Sequence, residues 1–190
     1  MEKIEVVPYD PQWPEQFQAL KEIYLQRLQA LYPRIEHVGS TSVPGLPAKP
    51  ILDIDIIISS AAQLPIVTSA LESLGYTFRG DLGIKDRYAY GITSAYTPDT
   101  GDQTLRPKHN LYCCVDGSVS LRNHLLVRDT LRADAQLRNA YGQLKETLAA
   151  QVDNIDDYIE GKSAFIGKIL LQGGIDADDV ADIEDQNRKK

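Results

Sequence analysis

Cysteine is nearly absent from this chain of 190 residues, and so are methionine and tryptophan. The only two cysteines, Cys113 and Cys114, are neighbours. Adjacent residues of a strand point to opposite faces, so an intrachain disulfide between them is excluded. A reducing, cytoplasmic setting is expected. No stretch approaches the roughly 20 apolar residues that a membrane-spanning helix needs, and the N-terminus lacks a basic start followed by an apolar run. Positive charge is also short: 20 Lys and Arg against 27 Asp and Glu leave a net charge of −7. That balance argues against broad nucleic-acid binding through the overall field. Ten acids against two bases fall within residues 151–185, so much of the acidity is C-terminal. Only three histidines occur, none at metal-ligand spacing from another, and zinc is not implied.

What is present is the composition of a globular domain, 43% hydrophobic and 25% charged. At this length roughly 70% of the unfolded surface can be buried without a disulfide or structural metal. One domain over residues 1–175 is expected, followed by an acidic, flexible tail at 176–190. Pro14 suits a first helical turn, and Trp13, Phe17, Leu20, Tyr24, Leu28 and Leu31 recur at helical spacing up to Pro33. Strand signals follow at 35–38, 51–58, 76–79, 87–93 and 111–115, with a helix over 64–74 closed by Gly75. The remainder reads as helical, over 121–131, from an N-cap at Asp134 through Leu148, and over 155–171.

Chemistry is concentrated in two places. In Leu52-Asp53-Ile54-Asp55-Ile56-Ile57-Ile58 the two-residue period of a strand puts Asp53 and Asp55 on one face. Two like charges so placed repel, and a divalent cation would relieve them; Mg²⁺, which prefers oxygen ligands, suits such a pair. Two acids facing solvent on an open sheet would give the same pattern. Upstream, His37-Val38-Gly39-Ser40-Thr41-Ser42 leaves a strand through a glycine into a hydroxyl-rich turn, which suits phosphate oxygens and also an ordinary turn.

Gly39-Ser40 followed by Asp53-Ile54-Asp55 resembles the signature of the nucleotidyltransferase (polymerase-beta-like) superfamily. Within it the chain resembles the GrpB family, also called UPF0157. The resemblance is carried by Val6-Val7-Pro8-Tyr9-Asp10-Pro11-Gln12-Trp13-Pro14 and by residues 35–50, which include His37-Val38-Gly39-Ser40-Thr41-Ser42-Val43-Pro44-Gly45. It is also carried by His124-Leu125-Leu126-Val127-Arg128-Asp129, Tyr141-Gly142-Gln143-Leu144-Lys145 and Tyr158-Ile159-Glu160-Gly161-Lys162.

The resemblance implies an α/β (α+β) nucleotidyltransferase-like fold, a mixed β-sheet flanked by helices with a helical C-terminal extension. It makes Asp53 and Asp55 the candidate catalytic metal ligands, Mg²⁺ the expected ion, and Gly39 and Ser40 the candidate nucleotide contacts. A polyphosphate needs cations as well. Lys49, in the loop between the two motifs, and Arg87, opening a later strand, are favoured over Arg106, Lys108, Arg122, Arg128 and Lys162.

Superfamily enzymes usually add a third carboxylate on a later strand. Leu111-Tyr112-Cys113-Cys114-Val115 contains none, leaving Asp116 at its end and Asp86 in the turn before Arg87-Tyr88-Ala89-Tyr90, with His109 a candidate third-site residue. The expected function is Mg²⁺-dependent transfer of a nucleotidyl group from a nucleoside triphosphate to a hydroxyl acceptor. The alternative is a non-catalytic domain binding a nucleotide or a coenzyme A-related ligand. The family's domain also occurs fused to dephospho-coenzyme A kinase. The expected partner is a nucleoside triphosphate or related small molecule, with neither membrane nor nucleic acid.

Overall fold

The computed structural model describes residues 4–152 and 154–188. It divides into two compact units: a sheet unit of Pro11–Val38 and Ile51–Leu121, and a helical unit of Met1–Asp10, Gly39–Pro50 and Arg122–Lys190. The chain passes between the units several times, the loop between the first two strands belonging with the C-terminal helices.

The sheet unit opens with helix α1, Trp13–Arg27, with Pro14 in its first turn. Strands β1 (Arg34–Val38), β2 (Leu52–Ile58), β3 (Tyr76–Phe78), β4 (Arg87–Ile92) and β5 (His109–Val115) form one sheet in the order β1-β2-β5-β4-β3. Only β2 and β5 pair in parallel; every other neighbour is antiparallel, so the sheet is mixed. Helix α2, Leu64–Glu72, lies in the crossover between β2 and β5.

One sheet face is apolar. It carries Ile54, Ile56 and Ile58 of β2 with Leu111 and Cys113 of β5, all buried. Helices α1 and α2 cover this face: Phe17 of α1 stacks on His37 with ring centroids 4.7 Å apart, and Thr68 of α2 hydrogen-bonds Tyr90 at 2.8 Å. Burial of such β-branched side chains stabilises by roughly 2 kcal/mol each.

The helical unit holds α3 (Val119–Ala133, of which the residues from Arg122 on belong to it), α4 (Ala135–Gln151), α5 (Ile155–Gln172) and α6 (Ala177–Arg188). Asp134 caps α4 as expected, its carboxylate accepting from the amides of Gln136 and Leu137, both at 2.9 Å. Val43, Leu46, Leu131, Tyr141 and Ile169 form its main core. Most of the acidic tail expected at 176–190 is instead helical. The reason is an apolar stripe within it: Val180 and Ile183 are buried with Leu170 and Ile175. Residues 189–190 lie outside the described residues.

Among the described residues, no helix is long and apolar enough to cross a membrane.

Candidate functional site

The second sheet face differs in chemistry from the first. Register places Glu36 and Val38 of β1 opposite Asp55 and Asp53 of β2. On the other side, Asn110, Tyr112 and Cys114 of β5 lie opposite Asp53, Asp55 and Ile57. Arg87 of β4 lies opposite Cys114. Registered partners point to the same side of a sheet, so Glu36, Asp53, Asp55, Asn110, Tyr112, Cys114 and Arg87 share this face.

The face is graded from wet to dry. Asn110 is exposed and Asp53 half-buried, whereas Asp55 and Cys114 are fully buried and Arg87 keeps 5% of its surface. Asn110 donates its Nδ2 hydrogen to Asp53 Oδ1 at 2.8 Å, which fixes the rotamer of that carboxylate. The Arg87 guanidinium lies over Tyr112, 4.7 Å from the ring centroid. Its Nε and Nη2 are buried without a hydrogen-bond partner among the described residues. A cation–π contact contributes about 1–2 kcal/mol when desolvated but satisfies no N–H donor. Arg87 therefore keeps donor capacity for an anion.

The protonation states are set by the same burial. Desolvation, reinforced by the negative charge of Asp53, pushes the Tyr112 phenol up to about 12, so it stays protonated at neutral pH. Burial and the neighbouring Asp55 charge push the Cys114 thiol far above its ordinary value. Asp53 and Asp55 supply hard oxygen donors, the donor type that Mg²⁺ takes.

His109 lies on the opposite, apolar face. Its Nδ1 is 2.7 Å from the carbonyl of Pro107, which can only accept, so Nδ1 carries the proton. Nε2 then accepts from the Tyr76 hydroxyl at 2.6 Å, and the Tyr24 hydroxyl donates to the Tyr76 oxygen at 2.6 Å. Burial lowers the pKa of His109 and keeps the ring neutral. Asp116 is exposed at the far end of β5, where its amide bonds the carbonyl of Ile58 at 2.8 Å, and Asp86 sits in a turn with φ 61°. Neither is in register with Asp53 or Asp55.

Gly39, Ser40 and Lys49 belong to the helical unit. Gly39 has φ 68° and ψ −172°, a backbone region open to glycine and strained for other residues. Ser40–Ser42 form a single 3-10 turn, closed by the Ser42 hydroxyl donating to the Gly39 carbonyl at 2.6 Å. Arg132 of α3 forks onto the Ser42 carbonyl at 3.0 and 2.7 Å, and Lys145 of α4 donates to the carbonyl of Pro47. The loop is therefore held by two basic side chains from the helices of its own unit. Lys145 is 1% exposed, and desolvation, aided by repulsion from Lys162, lowers its pKa to about 7.

The family model described as GrpB protein matches residues 3–172. The chain belongs to the GrpB protein family. The UPF0157 protein YqkA of Bacillus subtilis is 34% identical over 169 residues, covering 86% of this chain and 45% of YqkA. The chain thus spans less than half the length of that relative. The crystal structure of conserved protein GrpB from Enterococcus faecalis superposes with a TM-score of 0.73 at 32% identity, covering 88% of this chain and 96% of that one. The structure of a GLD-2/RNP-8 complex gives a TM-score of 0.55 at 14% identity, covering 90% of this chain and 63% of that one. At that identity the likeness is one of fold alone, a mixed sheet flanked by helices.

Glu36, which no sequence motif singles out, joins the face through the β1–β2 pairing. Its signal is its place three residues before Gly39, on the strand that pairs with the Asp-x-Asp strand.

Proposed function

We propose that the protein transfers a nucleotidyl group from a nucleoside triphosphate to a hydroxyl acceptor, with Mg²⁺ held by Asp53 and Asp55. The observation that carries this reading is a single sheet face bearing both carboxylates and, beside them, the buried guanidinium of Arg87 with donors to spare. Carboxylates recruit a hard cation and a guanidinium recruits phosphate oxygens, so the face suits a metal–polyphosphate pair. Bound there, Mg²⁺ would neutralise phosphate charge as the leaving pyrophosphate develops.

The chain's own residues supply the rest. Asn110 keeps Asp53 in one orientation, Arg87 binds an anionic oxygen from a desolvated position, and Tyr112 supports the guanidinium through its ring. Gly39, Ser40 and Lys49 belong to the other unit, and their assignment to phosphate rests on the Gly-Ser motif of the sequence alone. His109, committed to the tyrosine chain on the opposite face, has no part in this reading.

Pyrophosphate release tests the proposal. Wild-type protein with Mg²⁺ and a nucleoside triphosphate should release it, and the Asp53→Asn/Asp55→Asn variant should not. Equal release from both would end the reading.

One observation favours a second reading. The positions of β5 that share the face, Asn110, Tyr112 and Cys114, include no carboxylate. A non-catalytic domain that binds a nucleotide or coenzyme A-related ligand would need none there. It would show ligand-dependent rises in melting temperature without pyrophosphate release.

A further inference from the structure

We propose that Glu36 is the third carboxylate of the site, aligned with Asp53 and Asp55 on one face of the β1–β2 pair beside the buried Arg87 guanidinium. The inference rests on the metal-binding reading of Asp53 and Asp55 and adds a residue to it.

Register carries the first part. Glu36 and Asp55 are direct cross-strand partners, and Val38 faces Asp53. Cβ atoms so paired lie about 5 Å apart, and like charges directly opposite destabilise a sheet. Glu36 is also three residues from the glycine that opens the phosphate-suited loop. The usual position for a third acid, the strand on the other side of β2, is occupied by Asn110, Tyr112 and Cys114.

Arg87 carries the second part independently. From its position opposite Cys114 its side chain reaches back over Tyr112, the partner of Asp55, so the guanidinium is directed across β5 toward β2. It is 5% exposed with two buried nitrogens lacking an acceptor among the described residues. An arginine buried in this way calls for an anion, and the acids beside it call for a cation. Glu36 has an exposed neighbour of opposite charge, Arg34, at 3.5 Å, itself divided between Glu36 and Asp116 at 3.6 Å.

The test is titration with Mn²⁺ alone, followed by loss of the free-ion electron paramagnetic resonance signal. It uses the full chain and requires no turnover. Glu36→Gln should weaken Mn²⁺ binding by about tenfold or more. Arg34→Gln should leave the affinity unchanged or raise it. Metal-free Glu36→Gln should melt at or above the wild-type temperature, because it removes a repulsion.

Wild-type affinity in Glu36→Gln, with weakened binding in Asp53→Asn/Asp55→Asn, would overturn the role of Glu36 and leave the proposed function standing. Equal binding by wild type and the double aspartate variant would overturn both. A lower melting temperature for metal-free Glu36→Gln, or equal weakening in Arg34→Gln, would mark Glu36 as the structural partner of Arg34 and overturn the inference.

Discussion

Asn110 and Asp53 are joined across the parallel β2–β5 pair by a 2.8 Å hydrogen bond, at the solvent-facing end of an otherwise buried polar face. Asn110 stands where a carboxylate would share the burden of holding a cation, and it does the opposite work of pinning one. Asn110→Asp removes the donor and adds a further negative charge beside Asp53. Without metal the variant should lose about 1–3 kcal/mol of stability. Mg²⁺ at millimolar concentration should recover most of that loss, measured as urea midpoints with and without the ion. A loss that Mg²⁺ does not touch would contradict the metal assignment.

Arg87 gives the complementary prediction. Two of its nitrogens are buried without acceptors among the described residues, so Arg87→Met should leave the ligand-free protein at least as stable as wild type, or better by about 1 kcal/mol. The same substitution should abolish the melting-temperature rise produced by inorganic triphosphate. A ligand-free variant that unfolds readily would mean that the guanidinium is a structural element of the sheet.

Gly39 tests the loop. Its φ of 68° with ψ near −172° disfavours any side chain, so Gly39→Ala should cost about 1–3 kcal/mol. Thermal unfolding reads this directly, and an unchanged melting temperature would show that the turn relaxes without penalty.

Lys145 sets a pH dependence. Desolvation lowers its folded pKa to about 7 from an ordinary 10.5, so between these values the unfolded chain binds a proton that the folded chain does not. Stability attributable to this group therefore rises with pH across that window, by up to about 1.4 kcal/mol per pH unit. The difference in urea stability between wild type and Lys145→Met should grow in favour of wild type from pH 7 to 8.5. His109 acts in the same direction at lower pH. Its lowered folded pKa means that stability falls as pH drops below the ordinary histidine value of 6.5.

The two-residue period makes the shared face of Asp53 and Asp55 legible in the sequence, because it is a local property of the strand. The glycine-led loop and the N-cap at Asp134 are legible for the same reason. Glu36 is not. Its alignment with Asp55 depends on the β1–β2 register, which is fixed only when two separated segments pair. His109 has the sequence neighbourhood of a site residue. Its actual partners, Tyr24 and Tyr76, lie 85 and 33 residues away and fall on the other face. Charge alone predicts a flexible acidic tail. Val180 and Ile183, spaced for one face of a helix, outweigh that charge once Leu170 and Ile175 are in place to receive them.

The measurement that bears most directly on the central claim is a thermal-shift titration of wild type and Asp53→Asn/Asp55→Asn with nucleoside triphosphates, each with and without Mg²⁺. The account predicts a Mg²⁺-dependent rise in melting temperature that grows with ligand concentration in wild type and is lost in the variant. The same rise in both proteins, or one indifferent to Mg²⁺, would contradict it.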